Sequence, residues 1–380
     1  MNSKILGIDA INIRLGGGIT HLKEIIAHYP EDQCLDIEKI VIWASKNTLH
    51  QIPNKSYVVK IHHPFFEKSL IYRVYYQIFK LTKSIKSHNC NLLFVPGGTF
   101  WGSFSPIVSM SQNLLPFEFN ELKRYNFLQA LKLLILRFTQ SITFRKSKAV
   151  IFLTDYASKT VLSSLKNLQA DTTIIPHGIS KRFYAEPRIQ RSVGEISELN
   201  PFMVLYVSII DMYKHQWNVV EAILILRKKG YHIVLNLAGP LYPLAFKKLN
   251  KSIEQFDPEK KFVNYFGSVD YNIINKLYQE ADIGIFASTC ENMPIILMEK
   301  MASGLPIACS SKGPMPEILL DGGVYFDPED PNEIATALEK LYLSNHLRQT
   351  LSMKSFEISK QFSWKKTSLD TFQFLSRYTK

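Results

Sequence analysis

Two carboxylates eight residues apart, Glu291 and Glu299, flank a proline in the run Cys290-Glu291-Asn292-Met293-Pro294-Ile295-Ile296-Leu297-Met298-Glu299. At 3.6 residues per turn such a pair is offset by about 80°, so both acids face one crevice. The free N–H groups of a helix start between them would attract a phosphate, while each acid accepts hydrogen bonds from hydroxyls. That combination suits a ligand that is anionic in the middle and hydroxyl-rich at both ends. Lys214, in Ile209-Ile210-Asp211-Met212-Tyr213-Lys214-His215-Gln216, reads by itself as an ordinary solvated lysine. Gly17 and Gly18 let backbone N–H groups approach a ligand closely, and Gln112 supplies an amide that can hydrogen-bond a hydroxyl but cannot shuttle a proton.

These residues need strand ends and helix starts to hold them. Ile283-Gly284-Ile285-Phe286-Ala287 reads as a buried strand, then a polar loop, then a helix over residues 294–303. Pro294 favours the first helical turn, and Gly304 with Pro306 supplies the stop. Lys4-Ile5-Leu6-Gly7-Ile8-Asp9 precedes the glycine loop as a first strand; Ile107-Val108-Ser109-Met110 precedes Gln112; Met203-Val204-Leu205-Tyr206-Val207-Ser208 precedes Lys214; Val263-Asn264-Tyr265-Phe266 precedes Gly267. Strand-then-helix order repeated along the chain predicts an α/β protein with parallel sheets and right-handed crossovers. Further helices are expected over residues 70–86, 122–141, 332–343, 347–362 and 364–378.

The pattern Glu291-x7-Glu299 followed by Met301-Ala302-Ser303-Gly304-Leu305-Pro306 resembles the signature of retaining glycosyltransferase family four, the group 1 glycosyltransferases of GT-B fold, among them enzymes of bacterial polysaccharide assembly. The resemblance covers nearly the whole chain and is strongest from Tyr206 to Asp330. It implies two Rossmann-like domains facing across a cleft: an acceptor-binding domain at 1–180, a linker at 181–200, a nucleotide-sugar-binding domain at 201–362, and a final helix at 363–380 crossing back to the first domain. It also assigns roles. Glu291 and the backbone of Asn292, Met293 and Pro294 contact the donor sugar, Glu299 binds the ribose, and Lys214 steadies the departing diphosphate. Gly17, Gly18, Gln112 and Gly267 line the donor. Two departures stand out: Gln112-Asn113 where relatives carry His-Asp, and Ile209 where they carry an arginine.

A chain of 380 residues exceeds what one core fills, and 46% apolar content supports two. Cys34, Cys90, Cys290 and Cys309 show no metal or disulfide spacing, which leaves each as a small buried hydrophobe and fits a reducing cytoplasm. No leader peptide and no membrane span are expected. The net charge of +12 is uneven: residues 1–175 hold 21 Lys and Arg against 11 Asp and Glu, the remainder 24 against 22. An anionic partner for the first half follows, and an anionic membrane surface at its inner face is preferred to nucleic acid. No Asp-x-Asp motif occurs, so no metal or other cofactor is expected.

The reading is a retaining, metal-independent transferase that moves a hexose, mannose as first guess, from a nucleotide diphosphate sugar to a lipid-linked or polysaccharide acceptor in O-antigen or capsule synthesis. An epimerase or phosphorylase of the same fold, and a non-catalytic basic membrane or nucleic-acid binding protein, are the alternatives. No pyridoxal lysine site supports the phosphorylase.

Overall fold

The computed structural model describes residues 4–14, 16–31, 35, 37–270 and 272–379. Leu15 of the glycine loop and Cys34 lie outside the described residues; Cys90, Cys290 and Cys309 are buried. The chain forms two compact units. The first comprises Met1–Leu122, Asn126–Gly178 and Phe362–Lys380, and the second Lys123–Tyr125 and Ile179–Gln361.

In the first unit, strands β1 (Lys4–Asp9), β2 (Ile37–Trp43), β3 (Val58–Ile61), β4 (Leu92–Val95), β5 (Ile107–Met110), β6 (Ala149–Phe152) and β7 (Asp171–Ile174) make a parallel sheet ordered β3-β2-β1-β4-β5-β6-β7. In the second, β8 (Phe202–Val207), β9 (Ile233–Ala238), β10 (Val263–Tyr265), β11 (Ile283–Phe286), β12 (Ile307–Ser310) and β13 (Gly323–Phe326) follow the order β10-β9-β8-β11-β12-β13. Leu-Leu-Phe-Val, Ala-Val-Ile-Phe and Ile-Gly-Ile-Phe are buried throughout, as unbroken apolar runs must be when helices cover both faces. Strand order reverses between β1 and β4 and again between β8 and β11, and at such switch points loops part to leave room for a ligand.

The last helix, Trp364–Ser376, belongs to the first unit. It packs on the Gly17–Ala27 helix, with Ser368 Oγ donating to Ile25 O at 2.7 Å and Thr367 Oγ1 to Pro176 O at 2.7 Å. Gly178 is obligatory there: a Cβ would stand 2.1 Å from Trp364 N.

Several boundaries differ from those expected. Residues 181–200 do not behave as a free linker but pack on the second unit. The Arg191 guanidinium grips Asp282 through two bonds of 2.8 and 2.6 Å, Arg188 donates to the carbonyls of Gln279 and Ala281, and Ala185 N bonds Ala302 O at 3.0 Å. The helix expected at 122–141 is Phe127–Lys146, because Asn126 caps it by accepting from Gln129 N at 2.9 Å and Lys123–Tyr125 join the second unit. The run expected as one helix at 70–86 contains a π-helical turn, Gln77–Leu81, between Leu70–Tyr76 and Thr82–Ser87. The helix expected at 347–362 is Asn345–Ser359, since the Ser344 hydroxyl caps Leu347 N at 3.1 Å. Among the described residues no helix is long and apolar enough to cross a membrane.

Candidate active site

The second unit gathers its chemistry where β8 and β11 end side by side. Beyond β8 the chain makes a short turn, Met212–Lys214, capped by Asp211, then enters the Gln216–Lys228 helix through His215 at φ 51°. Beyond β11 it runs through residues 287–294 into the helix Ile295–Ala302. Pro294 is the cap rather than the first helical residue, and Ser303 closes the other end, so this helix is shorter than the 294–303 expected.

Hydrogen bonds fasten the two loops together. Tyr206 is 1% exposed; its hydroxyl donates to Lys214 O at 2.8 Å and accepts from Ala287 N at 3.2 Å, so one strand side chain fixes both loops. Thr289 N bonds Tyr213 O at 2.8 Å, Ser288 Oγ donates to the same carbonyl at 3.2 Å, and the His215 ring meets Thr289 Oγ1 at 3.1 Å. Burial first, then the cations Arg124 and Lys248, push the His215 pKa down to about 3, so this imidazole is neutral. Asp211 accepts from Tyr125 OH at 2.9 Å, and its pKa is raised mainly by burial.

On this frame Lys214 and Glu291 form an ion pair, with side chains only 5% and 14% exposed. The ammonium also lies 4.8 Å from the Phe286 ring centroid and 5.1 Å from that of Tyr213. Such an ammonium is held out of water, so its burial is costly unless an anion faces it. Next to Glu291, Asn292, Met293 and Pro294 bring the chain to the helix start, where Met298 N to Pro294 O is the first full-turn bond and the N–H groups of Ile295 and Ile296 precede it. Glu299 is 3% exposed, one turn further on, with Tyr278 OH 3.4 Å from its Oε2. Ile209 brings no cation; its carbonyl accepts from Gln216 Nε2 at 2.8 Å. Gly267, at φ 67°, accepts from Gly239 N at 2.8 Å, and Gly239 at φ 144° runs so close to Ser208 that a Cβ would stand 2.0 Å from its carbonyl oxygen. The carboxyl ends of β8, β9 and β10 are thereby tied together.

Gly17, Gly18 and Gln112 belong to the first unit. Gly17 opens the Gly17–Ala27 helix, and a Cβ on Gly18 would lie 3.0 Å from Gln112 Oε1, so these residues from two strand ends do meet. The arrangement in the second unit can hold a diphosphate between an ammonium and a helix start, with a carboxylate on either side. Among the described residues no three His, Cys, Asp or Glu cluster as metal ligands.

Reading the sequence missed Tyr206, Tyr278 and above all Lys300. Lys300 is fully buried between the rings of Tyr206, Tyr278 and Phe286, with Nζ 3.4 Å from Val207 O. Gly284 makes room for it, since a Cβ there would press to 2.8 Å on the Lys300 methylene chain. A lysine next to Glu299 in the Ile-Ile-Leu-Met-Glu-Lys-Met-Ala helix, whose other residues are all apolar, was the available signal.

Residues 190–357 match the model of glycosyl transferases group 1. That segment belongs to the group 1 glycosyltransferases. Its bounds enclose Lys214, Gly267 and the whole Glu291–Glu299 run. Among curated proteins the chain is similar to O-antigen chain mannosyltransferase B of Escherichia coli, 26% identical over 110 residues, which is 29% of this chain and 29% of that protein's length. The chain thus matches well under half of that relative. Among solved structures it is similar to sucrose-phosphate synthase of Thermosynechococcus elongatus, with TM-score 0.73, 15% identity and 98% of each chain covered. It is also similar to HepE of Anabaena, solved in complex with UDP-glucose, with TM-score 0.69, 19% identity, and 98% of this chain and 99% of that one covered. These likenesses show the fold: the chain is a GT-B protein.

Proposed function

We propose that the protein is a retaining glycosyltransferase that moves a hexose from a nucleotide diphosphate sugar to an acceptor. The observation that carries this reading is the buried Lys214–Glu291 pair beside the start of the Ile295–Ala302 helix, inside the segment that belongs to the group 1 glycosyltransferases. The diphosphate takes Glu291's place as the counter-anion of Lys214 and caps the N–H groups of Ile295 and Ile296, which frees Glu291 to accept from a sugar hydroxyl. Asn292, Met293 and Pro294 bound the sugar, and Glu299 accepts from the ribose.

In the reaction the bond from the anomeric carbon to the phosphate oxygen breaks, and a bond to the acceptor oxygen forms on the same face. The acceptor's proton passes to the departing phosphate oxygen. Lys214 and the helix start stabilise the charge that grows there, as oriented donors do in a site closed to water. Gly17, Gly18 and Gln112 line the donor from the first unit, and Gly267 flanks the base. Turnover needs no metal in this reading.

Mannose is the first guess for the sugar, supported by the name of the Escherichia coli relative, and cell-surface polysaccharide assembly such as O-antigen or capsule is the setting. The acceptor is a lipid-linked or polysaccharide chain met on the cytoplasmic side of the membrane, which the basic first half supports.

A single assay tests the core of this. GDP-mannose and UDP-glucose are incubated with the protein and EDTA, with and without a lipid-linked oligosaccharide, and released nucleoside diphosphate is measured. Release that depends on acceptor, persists in EDTA and disappears in Glu291→Ala is expected. Release without acceptor indicates an epimerase or hydrolase, and activity that survives Glu291→Ala removes the assignment of the site.

A further inference from the structure

We propose that one face of the first unit, built from residues 70–87, the loop at 97–104 and the Phe127–Lys146 helix, seats on an anionic lipid bilayer. This supplies the partner surface for the acceptor reading above, but it rests on its own observations.

The first is the pattern of exposure. Ile71, Tyr75, Ile78 and Phe79 are 78%, 46%, 40% and 66% exposed, at spacing i, i+4, i+7, i+8. Phe127, Leu131, Leu134, Ile135 and Phe138 repeat that spacing at 79%, 43%, 43%, 55% and 65%. Each set is one stripe of a helix. The second helix is moreover inverted: its buried residues include Thr139, Gln140 and Thr143, while its solvent side is phenylalanine, leucine and isoleucine. Single exposed apolar residues are ordinary, whereas a continuous stripe marks a surface that meets something apolar.

The second is that both stripes lie on one side of the sheet. The connections β3 to β4 and β5 to β6 run in the same direction across it, and right-handed crossovers then put their helices on the same face, opposite that of the Gly17–Ala27 and Trp364–Ser376 helices. The loop at 97–104 bridges them. Phe100 N donates to Thr143 Oγ1 at 2.9 Å on one side, and Gly102 fits tightly over Gln77 O on the other. Trp101, 38% exposed, sits on that bridge between the stripes.

The third is charge. Leaving out Lys123 and Arg124, which belong to the second unit, residues 68–154 contain ten Lys and Arg but only two acids, Glu118 and Glu121. Glu121 is buried, and Glu118 accepts from Tyr156 OH at 2.7 Å. Several cations lie along the aromatic rings at the edge of the apolar surface: Lys68 Nζ is 4.8 Å from the Tyr72 ring, Lys80 Nζ 5.1 Å from Phe65 and the Arg137 guanidinium 4.0 Å from Phe119. Apolar stripes rimmed by long basic side chains complement an interface of acyl chains below phosphate headgroups. A nucleic acid would use the cations and leave the stripes in water.

The test is sedimentation of the full chain with vesicles of phosphatidylcholine alone and of phosphatidylcholine with phosphatidylglycerol, at 0.05 and 0.5 M salt, and in the presence of heparin. Binding only to the phosphatidylglycerol vesicles, weakened by salt, is expected. Ile71→Ser with Phe79→Ser, and Phe127→Ser with Phe138→Ser, should each lower the partition coefficient by about tenfold or more without lowering the melting temperature, since all four side chains leave water only on the bilayer. Vesicles should also shift tryptophan emission to the blue in the wild type and not in Trp101→Phe. Equal binding to both vesicle types, capture by heparin alone, or stripe variants that bind like the wild type overturn the proposal. This assay contains no donor, so vesicle binding here, together with failure of the acceptor-dependent release assay above, would sink the transferase reading and leave this one standing.

Discussion

Lys300 is the residue whose role cannot be understood from its neighbours in the chain. It sits under the loops that carry Lys214 and Glu291, and burial first, then the Lys214 charge, lowers its pKa from 10.5 to about 7 against the opposing pull of Glu299, Cys309 and Glu291. Between pH 7 and 10.5 the unfolded chain keeps this proton and the folded chain does not, so stability rises with pH across that window. Below about 7 both states are charged and the deficit is complete. At about 1.4 kcal/mol per pKa unit the deficit amounts to several kcal/mol. Lys300→Met should therefore unfold at higher urea than the wild type at pH 6.5, with the gain shrinking at pH 8 and nearly gone by pH 10. A constant gain across that series would show that the buried charge is not its source.

At the scale of elements, the docking of the Trp364–Ser376 helix depends on two neutral imidazoles. His21 and His177 pack with their rings tilted 39° at 5.1 Å between centroids, with Trp364 6.0 and 5.5 Å away. Burial lowers the His21 pKa from 6.5 to about 3, and burial, then repulsion from His21 should that ring also take a proton, holds the His177 pKa well below 6.5. Between pH 6.5 and 3 the unfolded chain binds protons that the folded pair refuses, so stability is lost as pH falls through that range. Amide exchange in residues 364–376 should accelerate at pH 4.5 relative to pH 7, after correction for the intrinsic rate. His21→Phe should slow it. Exchange that tracks the rest of the chain at every pH would mean that the helix is not held by these rings.

At the scale of the whole molecule, two units with separate cores and separate sheets should melt separately. A nucleoside diphosphate at one hundred times its Kd adds about 2.7 kcal/mol to the unit that binds it. Calorimetry with GDP or UDP should move one endotherm up by several degrees and leave the other in place. Deletion of residues 362–380 should lower the unmoved one alone, because Ser368, Thr367 and Trp364 bond or pack against Ile25, Pro176 and His177 of the first unit. A single endotherm that shifts as a whole under both changes would show the units to be one cooperative block.

What the sequence by itself determined was the set of elements and the order in which they follow. Runs such as Ile283-Gly284-Ile285-Phe286 and the stop Gly304-Leu305-Pro306 encode a strand and a helix end locally, and Glu291-x7-Glu299 places two acids about a helix start by spacing alone. Only the tertiary structure decided what those elements hold. The Lys214–Glu291 pair spans 77 residues of chain, Tyr206 fastens two loops by a hydroxyl that reads as one more buried strand residue, Lys300 reads as a surface lysine until Gly284 is set beside it, and Arg191 turns an expected linker into part of the second unit through Asp282. Partners in sequence are found by periodicity; partners across a parallel sheet depend on which strands become neighbours, and that order is settled by the packing of the whole.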